Sequence, residues 1–305
     1  MVFGDLVKFV ETIFPIFKTI LDKHIKPQKT GRPRSDEKQI LLTILYVLKT
    51  GTQWRMLPDN SDLAKGSTAH SVFQKWVKLG IMDEFFAVSR KIYKDKIGFK
   101  LTWTSVDCTL IKTRVIALPI GKEDTGKNPT DRGRSGTKIS CAVDQTGASI
   151  GFTIGPANIH DSKYLKETLV QGSLLSLLEP DLINTKKHLC LDKGYDGNSS
   201  EECAYLHGYK SHIRTRGEEK IEKKKGKRAK RFVVEAHFAW LKAYRHIQTR
   251  FTKYSINFNG LICLADCVIL LKRVFRAIVT HLCPDEIPAV DMDACREWLQ
   301  QQRAY

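Results

Sequence analysis

Apolar residues in the first hundred positions recur at helical spacing. The spacing predicts a helix over 3–22. A basic Pro/Gly linker follows, KPQKTGRPRSDE. Ser35 is the expected N-cap of a second helix, whose buried face is Ile40, Leu41, Ile44, Leu45, Val47 and Leu48 and which stops at Gly51. The turn TQWRMLPDN leads to a third helix over 67–79, with Val72, Phe73, Trp76 and Leu79 on one face. Gly80 ends it, and a fourth helix covers 82–96. From residue 101 the period changes to that of strands. LTWTSVDCTLIKT, TKISCAVDQTG and ASIGFTIGPA read as three strands, the last two joined by a tight turn at Gln145-Thr146-Gly147. A helix over 161–177, the buried strand in HLCLDKGYD, a helix over 199–207 and a short strand near SHIRT come next. A long helix starts near 229, and an apolar helix covers 255–278.

Three antiparallel strands, then parallel strands joined by helices, is the order of a ribonuclease H-like fold. The predicted class is therefore α/β, a ribonuclease H-like mixed sheet with flanking helices, preceded by an all-α domain of helix-turn-helix type. The expected division is 1–98 for the helical domain, 99–280 for the sheet domain and 281–305 for a C-terminal tail.

Charge changes the picture next. The 305 residues hold 50 Lys and Arg against 33 Asp and Glu, a net charge of +17. That balance selects nucleic acid as partner ahead of an anionic membrane surface. No apolar run is long enough to span a bilayer, and the N-terminal stretch carries Asp5, Lys8, Glu11 and Lys18, unlike a signal peptide. On the helix over 67–79, Gln74, Lys75 and Lys78 are candidate DNA contacts. The competing reading is a helical bundle with a solvated polar face. Arg32 and Arg34, in the linker, suit a basic arm entering a minor groove, or only a linker. The stretch 210–231 holds eleven Lys and Arg against three Glu, and Lys223, Lys224 and Lys225 at its centre are read as a DNA clamp rather than a solvated loop.

Candidate chemistry comes from three acids. Asp107 follows the apolar run LTWTSV, and Asp192 follows HLCL. Carboxylates at such positions are costly unless something pairs with them. The carboxyl ends of neighbouring strands line the functional crevice of an open α/β sheet. Glu235 lies on the long helix, one turn from Arg231 and two turns from Lys242. Three hard oxygen donors suit two Mg²⁺ or Mn²⁺ ions and phosphoryl transfer. For each acid alone, a cap or ion pair is the competing reading. Asp161 is expected to cap the helix that follows it, and Tyr195 is placed near a DNA end.

The residues that carry this chemistry resemble those of DDE transposases of the insertion-sequence-five group, within the insertion-sequence-four-like superfamily. The likeness runs through GRPRSDEKQILLTILYVLKTGTQWRMLP, SVDCTLIKT, GRSGTKISCAVDQTGASIGFTIGPANIHDS, LCLDKGYDG and RFVVEAHFAWLKAYRHIQTRFTKY. It implies Asp107, Asp192 and Glu235 as the catalytic, metal-binding set. The signature Tyr-x2-Arg-x3-Glu-x6-Lys is met at Arg231, Glu235 and Lys242, but its Tyr position is Arg228. The resemblance further implies that Arg231 and Lys242 hold phosphates. It implies binding of terminal inverted repeats, cleavage, and strand transfer into target DNA by a homodimer or larger synapse. Such a protein works where the DNA is: cytoplasm or nucleoid in a bacterium, nucleus in a eukaryote. A non-catalytic, domesticated DNA-binding protein and a plain metal-dependent nuclease are the alternatives.

Overall fold

The computed structural model describes residues 3–27, 30–31, 33–114, 124–129, 131–173, 187–213 and 230–282. In chain order the helices are α1 (Phe3–His24), α2 (Glu37–Thr50), α3 (Gly66–Lys78), α4 (Ile81–Lys96), α5 (Leu165–Ser173), α6 (Asn198–Leu206), α7 (Phe232–Lys242), α8 (Arg245–Gln248) and α9 (Ser255–Leu282). The strands are β1 (Trp103–Thr113), β2 (Gly126–Lys127), β3 (Ser135–Val143), β4 (Ser149–Pro156), β5 (Lys187–Leu191), β6 (Tyr209–Ile213) and β7 (Thr249–Arg250). Two compact units divide them. One takes the residues up to Ile97, Tyr244–Ile247, and those from Ile256 on; the other takes Gly98–Ala243 and Gln248–Ser255. Among the described residues no helix is long and apolar enough to cross a membrane.

The first unit is helical. Asp36, not Ser35, caps α2, because its carboxylate accepts the Lys38 N–H at 2.9 Å. Aromatic edges build the core: Phe17 meets both Trp76 and Phe85 with ring centres 5.1 Å apart. Leu79 does not join that core. It lies just past the last turn of α3 and is exposed, and Val77 is buried in its place. The sequence groups 255–278 with the strands, but α9 packs with the N-terminal helices. Phe275 meets Phe9 at 5.9 Å, and Gly260 sits so close to α3 that a Cβ there would come 2.6 Å from Val77 Cγ2. A helix buried nearly all round needs such a helical socket rather than one sheet face.

The second unit is a seven-stranded mixed sheet of order β2-β3-β1-β5-β6, with β4 on β3 and β7 on β1. β1–β3 and β3–β4 are antiparallel, whereas β1–β5 and β5–β6 are parallel. This is the ribonuclease H-like arrangement predicted from the strand order. One face buries Val106, Ala142, Ile150, Leu189 and Leu191 against Leu165 and Leu169 of α5 and Ala204 of α6. The other face is covered by α7 through Val233, Val234, Phe238 and Leu241. Side chains alternate along a strand, so Asp107 and Thr109 lie on the α7 face while Val106 and Cys108 face α5 and α6. The helix expected over 161–177 begins as a tight 3₁₀ turn, Asp161–Tyr164, and becomes α-helical only at Leu165.

The β3–β4 turn shows why the register holds. Asp144 is fully buried, and its carboxylate accepts Thr146 N–H at 2.8 Å, Thr146 Oγ1–H at 2.7 Å, Ala148 N–H at 2.9 Å and Lys100 N–H at 3.0 Å. Gly147 takes φ +79°, a conformation that a side chain would strain. The turn therefore depends on one charged acceptor with four donors. Asp144→Ala leaves those donors without their acceptor and should lower the unfolding free energy by about 3 kcal/mol. Urea unfolding of the two proteins measures the loss, and Asp144→Asn should recover part of it.

Candidate active site

β1 is the central strand, with β3 on one side and β5 on the other. Its parallel register with β5 pairs Trp103 with His188 and Ser105 with Cys190. Continuing that register by two residues brings Asp107 level with Asp192, which follows the last residue of β5. Both lie on the face that α7 covers. The strands therefore deliver two acids to one line, and α7 adds Glu235 from above.

Arg231, at the first turn of α7, ties them together. Its Nη1 forms an ion pair with Asp192 Oδ1, and its Nε lies 3.7 Å from Glu235 Oε1. Asp192 also caps the turn after β5, accepting Lys193 N–H at 2.7 Å. The capping role and the convergent role thus coexist in one side chain. Lys242, two turns along α7 from Glu235, donates to Thr109 Oγ1 at 2.5 Å. Burial holds its ammonium below the usual lysine range. Thr109 is two residues beyond Asp107 on the same face. Strand parity counted from Asp107 is the signal that would have found it in the sequence.

Asp107 is strongly perturbed by its surroundings. Loss of hydration pushes its carboxyl up to about 6. The Cys108 N–H, donated to Oδ1 at 2.8 Å, and the Arg231 charge pull the other way; Asp192 and Asp161 push up further. Such a group gains from a nearby cation. Hard carboxylate oxygens are the right donor chemistry for Mg²⁺ or Mn²⁺. Among the described residues no three His, Cys, Asp or Glu side chains stand close enough to hold a metal ion as they lie. Arg231 contacts two of the three acids, so drawing them onto a metal requires that guanidinium to shift.

Several sequence expectations change here. Asp161 does not cap a helix; its carboxylate pairs with Lys138 Nζ at 2.6 Å, and Lys138 also donates to Ile159 O at 2.5 Å. Tyr195 is fully buried against the inner core, with its hydroxyl 3.3 Å from Cys108 Sγ, so it is not at a DNA-facing surface. Phe232 and Trp240 of α7 are partly exposed, whereas His237 is buried. Lys230, just before α7, lies 5.4 Å over the Trp103 ring, a cation–π contact the sequence did not suggest.

The remaining candidates lie elsewhere. Lys75 and Lys78 are exposed on α3, in the helical unit, and Gln74 is half-buried beside them. His70 of the same helix stacks on Trp54 at 5.1 Å, and burial lowers its pKa. Arg34 is exposed in the segment before α2. Arg32, Lys223, Lys224 and Lys225 fall outside the described residues, as does Arg228.

Comparison with known proteins follows the same division. Residues 12–86 match a family described as "Putative transposase of IS4/5 family". Residues 100–270 match the family described as "Transposase DDE domain". A curated relative, "Putative transposase for insertion sequence element IS402" from Burkholderia cepacia, is 27% identical over 157 residues, 52% of this chain and 73% of the relative. "Uncharacterized protein y4sN" from Sinorhizobium fredii (strain NBRC 101917 / NGR234) is 24% identical over 97 residues, 32% of this chain and 71% of its own length. Among solved structures, a pre-cleavage Mos1 transpososome overlaps 87% of this chain and 86% of its own at TM-score 0.29 and 10% identity. The catalytic domain of Mos1 mariner transposase overlaps 63% of this chain and 93% of its own at TM-score 0.28 and 8% identity. These overlaps are loose, and the fold is assigned from strand order and direction instead. Residues 100–270 are more than half of the chain and run from before β1 to beyond β7, so the chain belongs to the transposase DDE domain family.

Proposed function

We propose that this protein is a cut-and-paste transposase that binds the terminal inverted repeats of a DNA element, cleaves at their ends and joins them to target DNA. The observation that carries this reading is the alignment of Asp107 with Asp192 on one sheet face, with Arg231 of α7 bridging Asp192 to Glu235. Asp107, Asp192 and Glu235 would hold Mg²⁺ or Mn²⁺, two ions in all. When bound, such ions activate a water or a 3′-hydroxyl and stabilise the leaving oxygen.

The chain's own residues do the rest. Arg231 is positioned between two acids and carries a fork of donors that suits a phosphate bidentately. Were the carboxylates to hold a cation, that fork would be free to donate to a phosphate beside them. Lys242, anchored on Thr109 near Asp107, adds a second positive charge where burial strengthens it. In the helical unit, Gln74, Lys75 and Lys78 on α3 read or grip the DNA end, with Arg34 and Arg32 as a basic arm. Lys223, Lys224 and Lys225 precede α7 in the sequence and would clamp the backbone of the cleaved strand. Two ends must meet for cut-and-paste chemistry, so the working form is a homodimer or larger synapse on double-stranded DNA. It acts in the compartment that holds that DNA.

The test combines the protein, the DNA flanking its reading frame, a target plasmid and Mg²⁺ or Mn²⁺. Cuts at inverted repeats with joined products support the reading. Specific binding without cutting would make the protein a domesticated DNA binder, and nicking without joining would make it a nuclease. Asp107→Asn, Asp192→Asn and Glu235→Gln should each reduce cleavage by at least a thousandfold, on the order expected when an essential metal ligand is removed, and leave end binding intact. Normal cleavage by any one of them removes that residue from the set.

Stability carries an independent signature of Asp107. Its folded carboxyl titrates at about 6, above the ordinary value near 4 for an unfolded chain. Between those values the folded state keeps the proton that the unfolded state has lost, so stability falls as pH rises through the interval. In metal-free buffer Asp107→Asn should match the wild type near pH 4 and exceed it by about 1–2 kcal/mol at pH 7.5, a figure reduced because the side chain keeps some access to water. Denaturant melts at the two pH values measure this. Mg²⁺ affinity, which needs the ionised carboxylate, should fall as pH drops through about 6, as a metal titration at several pH values would measure. Lys75→Ala with Lys78→Ala should weaken end binding and lower its salt slope by about 2, roughly one for each phosphate that is no longer neutralised.

A further inference from the structure

The end of the sheet opposite the entry of β1 carries a second cluster, outside the acids. β7 runs parallel to the last residues of β1, with Thr249 opposite Lys112 and Arg250 opposite Thr113. Arg114 donates its N–H to Arg250 O at 2.9 Å. The Arg250 side chain is completely buried. Its Nη1 donates to Thr137 Oγ1 at 2.8 Å and to Asp124 O at 3.3 Å. Nε reaches Thr252 O at 3.0 Å, and Nη2 reaches Ser255 Oγ at 3.1 Å and Lys253 O at 3.4 Å. A buried guanidinium is tolerated only when its donors are met, and here the acceptors come from β3, from the segment before β2, and from the loop itself. The loop from Phe251 to Tyr254 is thereby held from beneath.

That fixed loop shows two aromatic rings to solvent. Phe251 is 55% exposed and Tyr254 41% exposed, and Lys253 Nζ lies 5.5 Å over the Tyr254 ring. Rings on an anchored backbone lose little further freedom on binding. The surrounding surface is cationic. Lys112, Arg114, Lys127, Arg132 and Arg134 are all exposed at this end of the sheet, against two half-buried acids, Asp124 and Asp131. Asp131 already lies 3.8 Å from Lys112. The turn bearing Arg132 and Arg134 is itself closed by Asn128 N–H to Arg134 O at 2.7 Å and Gly133 N–H to Asn128 O at 3.0 Å. Exposed rings set among exposed cations are the two parts of a surface for unpaired nucleic acid: stacking for bases and charge for phosphates.

We propose that this end of the sheet is a second DNA contact, in which Phe251 and Tyr254 stack on bases of a locally unpaired strand while Lys112, Arg114, Lys127, Arg132 and Arg134 take its phosphates. The inference rests on the reading that Asp107 acts on a DNA phosphate. Arg250 stands opposite Thr113, so Phe251 is level with Arg114, seven residues along β1 from Asp107 and about 24 Å at about 3.4 Å per residue; strand parity turns Lys112 and Arg114 to the face opposite Asp107, so the DNA path rounds the end of the sheet. A DNA strand advances about 3.4 Å per nucleotide. The stacked bases therefore lie about seven nucleotides from the phosphate at Asp107.

The experiment uses two duplexes of the DNA flanking the reading frame, one fully paired and one with three mismatched pairs about seven nucleotides from the cleavage point. Fluorescence anisotropy in metal-free buffer gives affinities for the wild type and for Phe251→Ala with Tyr254→Ala. The wild type should prefer the mismatched duplex by about tenfold or more, the scale of base–aromatic stacking. The double variant should lose that preference and bind the paired duplex within about twofold of the wild type, with an unchanged melting temperature. Equal preference in both proteins overturns the proposal, as does a wild type that binds the paired duplex but shows no preference. A variant that binds both duplexes normally but changes its sedimentation overturns it in favour of an interface between copies of this chain. A wild type that binds neither duplex overturns the DNA reading of the whole protein, a result distinct from loss of preference alone.

Discussion

A carboxylate on the central strand of the sheet is the constraint to which the rest of this site answers. Asp107 lies between β3 and β5 with α7 above it, and loss of water pushes its carboxyl up to about 6. A group in that state is a standing cost to the fold unless positive charge is near. Arg231 supplies some of that charge, and the Cys108 N–H supplies a hydrogen bond. The stability given up at this position is the usual mark of a place kept for chemistry rather than for packing.

The same arginine explains why the three acids sit near one another without closing on a common point. Its guanidinium pairs with Asp192 and approaches Glu235, acids contributed by a strand end and by a helix. Any cation that these carboxylates recruit must share them with Arg231 or displace it. Displacement would free a donor fork whose geometry matches a phosphate, so the side chain that holds two acids is also suited to an oxyanion. Lys242 has a more fixed part, because Thr109 holds its ammonium and burial already disfavours its charge.

Another arginine, fully buried, plays a comparable part in the scaffold. Arg250 joins β7, the segment before β2, β3 and the following loop through carbonyls and hydroxyls. It fixes the loop that shows Phe251 and Tyr254, as Asp144 fixes the β3–β4 turn at the other end of β3. In both places one ion with several short-range partners sets the backbone, so the strands between them keep their register.

The order of helices and strands is legible in the residue pattern, and the sheet follows from it. Strand-like runs mark β1, β3, β4 and β5, helical spacing marks α1 to α4, and the carboxyl-end rule finds Asp192, whereas Asp107 lies mid-strand in β1 and not at its carboxyl end. Those signals are local, and local patterns survive folding because each element must bury one face. Other features depend on contacts between distant segments. β2 and β7 are two residues each and exist only because β3 and β1 offer edges to pair with. α9 reads as apolar in any setting; only Val77 and Phe9 show which helices surround it. Asp161 reads as a cap until Lys138, from β3, comes within 2.6 Å. The joint hold of Arg231 on Asp192 and Glu235, and the clamp of Arg250 under its loop, likewise arise only once the chain has folded. A long cationic side chain has many local choices, and which one it takes depends on what the folded chain leaves within its reach.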